Sequence, residues 1–267
     1  MSSSSTLASG KLVVDEPAPH VTRLRISNPT KRGALDHELL DALASTIGSL
    51  DARCVIITGE PPMFSAGYDI GNFDDDHFSE QAERIVAHPF TEAIEAIDAY
   101  RYPVLAAIYG HAIGGGLELA VTCDIRIAGR GAKMGMPPAK IGLIYSHTGL
   151  RRFVEACGLA NTNELFHVGR NVDAERGHQI GLINHVVDDD EVEERSVAMA
   201  AEIAANAPLS LAGNKHVLRR LRAADLRLDE DTERALVELR ESCFFSEDFR
   251  EGIRSFAEKR PPRWQGR

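Results

Sequence analysis

The chain is poor in the features that would assign it at a glance. It has four cysteines, Cys54, Cys123, Cys157 and Cys243, and no two of them stand in C-x-x-C spacing. That argues against a structural zinc site and against a disulfide framework. No run of about 18 apolar residues occurs, so no segment reads as membrane-spanning. The Ser-rich start, Met1 to Gly10, lacks the basic and apolar regions of a signal peptide. These absences predict a reducing, cytoplasmic setting. Positive charge is in deficit: 30 Lys and Arg against 40 Asp and Glu give a net charge of −10. Broad nucleic-acid binding needs the opposite balance. G-x-G-x-x-G and G-x-x-x-x-G-K-[ST] are both missing, which excludes a dinucleotide fingerprint and a P-loop. The acidic run Asp74 to Asp76 is followed by no EF-hand spacing and reads as a solvated loop, so no metal is expected. There is no internal repeat.

What is present reads as an ordinary globular chain. It has 267 residues, 43% of them apolar and 26% charged, enough for one large domain or one and a half. Ser2 to Ser5 suggests a disordered tail, taken as residues 1–10. Val21 to Ile26 alternates apolar and polar residues, as a half-buried strand does. Asp36 to Leu50 has leucines and Ile47 at helical spacing, with Asp36 placed to cap. Val55 to Thr58 and Pro103 to Ile108 are apolar runs of strand length, and Asp124 to Ala128 reads as a further strand. Pro89 to Ala99 and Leu117 to Thr122 read as helices. Strand and helix alternate, so the class is α/β. Past about residue 190 only helices are predicted, over Glu191 to Asn206, Leu209 to Leu221, Asp231 to Phe244 and Glu247 to Lys259. The division is therefore a core over 11–205 and a helical region over 206–267, the latter too small for a core of its own.

Two segments carry the chemistry. Phe64-Ser65-Ala66-Gly67-Tyr68-Asp69-Ile70 follows the first buried strand. Gly110-His111-Ala112-Ile113-Gly114-Gly115-Gly116-Leu117-Glu118 follows the second. In each, a strand ends in a glycine turn that lets backbone approach a ligand. A helix starting at Gly115 aims free N–H groups and its positive end at whatever binds there. If the turns converge, two backbone N–H groups can hold one oxyanion. Either segment alone reads equally as a tight structural turn.

Together they resemble the crotonase family, the enoyl-CoA hydratase/isomerase superfamily, over about residues 11 to 267. Val104 to Gly110, the Cys123-Asp124 pair, Gly177 to Val187 and Ser246 to Pro261 extend the likeness. The resemblance implies a spiral of ββα turns, a C-terminal helical region for assembly into trimers or dimers of trimers, and an acyl-CoA substrate, with no cofactor besides the coenzyme A of that substrate. It implies an enolate whose oxyanion is held by the N–H groups of Tyr68 and Gly115. Ala66, Asp69, Ile70, Gly114 and Ile141 would line the acyl-CoA site. Lys31 and Arg32 would meet the CoA phosphates, and Phe256 and Lys259 its adenine end.

Within that family the hydratases use two glutamates. The first matches Glu118. The second falls on Pro138, and no carboxylate occurs from Lys133 to Arg152. Tyr145, in Ile141 to Leu150, adds to a likeness with the methylmalonyl-CoA decarboxylase branch, where a matching tyrosine faces the acyl group. Decarboxylation of a short malonyl-type thioester is the preferred expectation. Hydration or isomerisation through Glu118 alone is the alternative, and a non-catalytic or RNA-binding homologue is the reading from another class. Tyr145 reads equally as a packed aromatic at the pocket rim. Glu118 sits awkwardly beside an anionic acyl group unless it is turned away or kept neutral by burial. His147 reads as a cap or surface residue, His111 as packing, and Asp188 to Asp190 as an acidic helix start.

Overall fold

A computed structural model describes residues 4–69, 88–225 and 229–265. Ile70 and the run Asp74 to Asp76 lie outside them. Eleven strands form two sheets among the described residues. The larger has the order β1(Ser5–Leu7)-β2(Leu12–Ala18)-β3(Val21–Ile26)-β4(Cys54–Gly59)-β6(Val104–Ile108)-β8(Ile125–Gly129)-β11(His185–Val187). The smaller has the order β10(Val172–Asp173)-β9(Lys133–Gly135)-β7(His111–Ile113)-β5(Met63–Ser65).

The chain winds by one rule. A strand of the large sheet is followed by a short strand of the small sheet and then by a helix. β4 and β5 precede α2 (His88–Ala99), β6 and β7 precede α3 (Gly115–Thr122), and β8 and β9 precede α4 (His147–Asn163). The pairs β3–β4, β4–β6 and β6–β8 are parallel. Parallel strands covered on both faces should be apolar throughout. β4 and β6 are buried at every position. This is the ββα spiral that the sequence implied.

Local signals work as read. Asp36 accepts a hydrogen bond from Leu39 N at 3.0 Å and caps α1 (His37–Ser49), whose Leu39, Leu40, Leu43 and Ile47 are buried. Arg126 closes the other end of α3. Its Nη1 donates to Cys123 O at 2.6 Å and its Nε to Leu182 O at 2.7 Å, a cation at a helix C-terminus. All four cysteines are buried as free thiols. Burial pushes the Cys123 thiol up to about 12.

Two readings need correction. The tail is ordered from Ser5, because β1 pairs antiparallel with β2. α4, capped by Ser146 through Gly149 N at 3.1 Å, lies where no helix was predicted. The helical region past residue 206 packs on the α/β core, as a tail without a core of its own must unless another subunit covers it. After α5 (Ala174–Gln179) and α6 (Val192–Ala205) come α7 (Pro208–Asp225), α8 (Glu230–Phe244) and α9 (Glu247–Ala257). Lys215 of α7 donates to Tyr102 O at 2.9 Å and to Asp124 Oδ2 at 2.7 Å, fixing it to the core. Asp124 also accepts from Val104 N at 2.7 Å, which gives the Cys123-Asp124 pair a structural task. α8 and α9 pack on the Ile141–Tyr145 loop. Ile144 N donates to Cys243 Sγ at 3.2 Å, and a Cβ on Gly252 would lie 2.2 Å from Ile141 O.

Candidate active site

The two glycine turns meet. A Cβ on Gly67 would lie 2.7 Å from Ile113 O and 3.1 Å from Gly115 N. Gly67 has φ +89° and Gly114 φ +55°, conformations open to glycine and costly for other residues. The first turn is stitched to residues 32–35. Ala66 N donates to Arg32 O at 3.0 Å, Leu35 N to Gly67 O at 2.8 Å and Asp69 N to Leu35 O at 3.0 Å. This ladder uses the groups on either side of Tyr68 and skips the Tyr68 N–H. Gly115 opens α3, so its N–H has no partner one turn back. Among the described residues neither N–H has a hydrogen-bond partner, and both lie where the two turns meet at the start of α3.

Side chains enclose this backbone site. The Tyr68 ring covers Gly115, with Cε2 2.9 Å from where a Cβ would stand, and meets Phe90 edge-on at 4.7 Å between centroids. An outer, mostly apolar pocket of about 330 Å³ is lined by Ala66, Gly67, Tyr68, Gly114, Gly115, Pro138, Ile141, Leu143, Tyr145 and Phe256, among others. Adjoining it is a more enclosed cavity of about 230 Å³ with a mixed polar and apolar lining, which shares Tyr68, Leu143 and Tyr145 with the outer pocket. The structure thus brings together Tyr68, Gly115, Glu118, Tyr145, Ala66, Gly114, Ile141 and Phe256.

Lys31, Arg32 and Lys259 line neither cavity. Lys31 Nζ lies 2.5 Å from Asp69 Oδ2, an ion pair that braces the first turn. Asp69 supports that turn as read. Arg32 lines a separate surface pocket with Glu60 and Pro62. Lys259 follows α9 with φ +53° and lines neither cavity. His111 lines the Arg32 pocket, and His147 begins α4 with its Nε2 3.7 Å from Glu233 Oε1.

Glu118 projects from the first turn of α3 and is 3% exposed. Both its oxygens are engaged. The Tyr145 hydroxyl donates to Oε2, and Arg152 Nη1 donates to Oε1 at 3.2 Å. Burial raises the Glu118 carboxyl above its ordinary range, and this outweighs the opposing pull of Arg152, Tyr145 and Arg240. Burial also holds the Tyr68 and Tyr145 phenols well above theirs. Tyr145 is set by packing: it stands directly before the α4 cap, its ring lies over Gly149, and it meets Phe166 edge-on at 5.3 Å. Sequence reading missed Arg152 and Arg240. Arg152 stands two positions past the Ile141–Leu150 segment, on the unpredicted helix, and Arg240 lies far along the chain on α8.

The family model for enoyl-CoA hydratase/isomerase matches residues 18–267, and the chain belongs to that family. It is 34% identical to a probable enoyl-CoA hydratase of Bacillus subtilis (strain 168) over 260 residues, spanning 96% of this chain and 98% of that one. It is 29% identical to the 2,3-dehydroadipyl-CoA hydratase of Escherichia coli (strain K12), over 92% and 96% of the two chains. A solved methylmalonyl-CoA decarboxylase in complex with 2-nitronate-propionyl-CoA superposes with a TM-score of 0.87 at 26% identity, covering 96% of this chain and 99% of that one. The protein is thus a crotonase-superfamily enzyme acting on CoA thioesters.

Proposed function

We propose that the enzyme is a lyase that decarboxylates a short malonyl-type acyl-CoA, such as methylmalonyl- or ethylmalonyl-CoA, through an enolate held by the Tyr68 and Gly115 N–H groups. One observation carries this reading. Both Glu118 oxygens already have partners, and the second glutamate position is a buried proline, Pro138. A pair of carboxylates free to hold a water is missing. In the proposed reaction the neutral Glu118 carboxyl donates to the Tyr145 oxygen, so that the one phenol proton turns to the substrate carboxylate and orients it out of the thioester plane. The bond from the α-carbon to that carboxylate breaks, CO₂ leaves, and the electron pair enters the thioester as an enolate. One donor of such a hole is worth about 3–4 kcal/mol of barrier. A solvent proton then closes the α-carbon. Glu118 is a positioning residue that holds the phenol, and its raised pKa favours the neutral carboxyl, which reduces repulsion with an anionic substrate.

Hydration or isomerisation of an enoyl-CoA, with Glu118 moving the proton, is the second reading, favoured by the hydratase names of the relatives. The proposal needs no cofactor beyond the substrate's coenzyme A. A non-catalytic RNA-binding role fits poorly with a net charge of −10. Buried free thiols suit the reducing cytoplasm. Assembly as a homotrimer or dimer of trimers is supported by exposed apolar residues on the C-terminal helices, Leu209, Val217, Leu218 and Leu221 among them. Light scattering should give a mass several times 29.2 kDa.

A panel of CoA thioesters read by mass spectrometry tests the reaction. Loss of CO₂ from methylmalonyl-CoA is expected, and gain of water by crotonyl-CoA alone would overturn the proposal. Tyr145→Phe should cut decarboxylation strongly while Glu118→Gln leaves much of it. In the second reading the order reverses, with Glu118→Gln costing about 10²–10⁴-fold on crotonyl-CoA.

A further inference from the structure

Among the described residues two carboxylates and two guanidiniums line the inner cavity, and only one of the guanidiniums is paired there. Glu118, Arg152 and Arg240 face it, with Glu95 exposed at its edge. Arg152 is committed to Glu118 Oε1 at 3.2 Å. Arg240 reaches in from α8. Its guanidinium lies over the Phe244 ring at 5.5 Å, and no described carboxylate lies within ion-pair distance of it. Its charge is nonetheless felt by Glu118, Tyr68 and Tyr145, so it stands close to the groups that face the acyl chain. His147 is directed at Glu233 instead.

A half-buried guanidinium at the end of a cavity is costly against a neutral hydrocarbon. Against a carboxylate it makes paired, charge-assisted hydrogen bonds in a fork geometry that lysine does not reproduce. The stacked Phe244 ring restricts the guanidinium plane, which lowers the entropy lost when an anion docks. We propose that Arg240 selects acyl-CoA thioesters whose acyl group carries a second, free carboxylate, and that the inner cavity is the subsite for that carboxylate. This rests on the acyl-CoA reading of the site and holds for either reaction. In decarboxylation the selected group is the one that leaves. In hydration it is a terminal group that stays.

The test uses ligands inert in both reactions. Calorimetry compares succinyl- and glutaryl-CoA with the neutral chains of the same length, butyryl- and valeryl-CoA. The wild-type protein should favour the acidic partner of each pair by at least about tenfold. Arg240→Gln should bring that ratio close to one, and Arg240→Lys should restore part of it. Equal affinities in the wild type would overturn the proposal without the variants. An acidic preference that survives Arg240→Gln would overturn the assignment to Arg240. If none of the four thioesters binds, the acyl-CoA reading itself fails and the subsite falls with it.

Discussion

The outer and inner halves of the site are built from different material. The outer half is backbone. Gly67, Gly114 and Gly115 bring two turns together, and the N–H groups of Tyr68 and Gly115 have no hydrogen-bond partner among the described residues. The inner half is side chain. Glu118, Tyr145, Arg152 and Arg240 come from α3, the loop before α4, α4 itself and α8, and they hold one another by charge and hydrogen bonds. A backbone hole serves any thioester and is fixed by the fold. A side-chain cluster can be exchanged residue by residue, so it is where substrate and reaction are decided.

If that division is right, damage to the outer half should abolish turnover on every thioester. Gly115→Pro removes one donor at a first helical position, where proline is tolerated. Turnover should fall by about 10²–10³-fold for all acyl chains, with far-UV circular dichroism unchanged. A folded variant that keeps near wild-type rate would show that this N–H is not a donor. The Tyr145 and Glu118 variants bear on the inner half instead, and their losses should depend on the substrate offered.

The same division explains what the sequence revealed. The glycine turns, the strands before them and the Asp36 cap are local: spacing, φ preference and capping chemistry are written within a few residues. Glu118 was legible because it sits in the turn after Gly115. Arg240 was not, because nothing in its neighbourhood on an exposed amphipathic helix distinguishes it until α8 folds onto the Ile141–Tyr145 loop. α4 escaped notice because glycines interrupt its pattern: Gly149 lies in its first turn and Gly158, at φ +76°, breaks it. The small-sheet strands are two or three residues long, too short to show a period. Lys31 was legible as a cation but not as the partner of Asp69, a pairing that depends on how the 31–35 corner packs.

Both halves meet the C-terminal helices, the outer pocket through Phe249 and Phe256 of α9 and the inner one through Arg240 of α8, whereas the two glycine turns are held by core elements. Lys215 is 7% exposed and joins α7 to Asp124 and Tyr102. Lys215→Met leaves a partly buried carboxylate without its cation, and should cost about 3 kcal/mol in urea unfolding. It should weaken discrimination among acyl chains more than it weakens turnover of the best one. Equal losses in both would place α7 in support of the hole as well.

The smallest effect concerns the protonation of Glu118. Its pKa is raised in the folded protein, chiefly by burial, and returns to the ordinary carboxylate range on unfolding. Between those two values the folded state holds a proton that the unfolded state has released. Stability then falls as pH rises. The contribution of the neutral carboxyl is complete below about pH 4.3 and is lost as pH passes upward through the folded value. Glu118→Gln removes this dependence while keeping a group that accepts from Tyr145. Its melting temperature relative to wild type should therefore move upward between pH 4 and pH 8, whatever constant offset the loss of the Arg152 ion pair imposes. A difference that moves the other way would mean that Arg152 prevails over burial and that Glu118 is a charged group in the resting enzyme. The inner half would then present a net charge closer to neutral, and the decarboxylation reading would lose the feature that lets an anionic acyl group stand beside a glutamate.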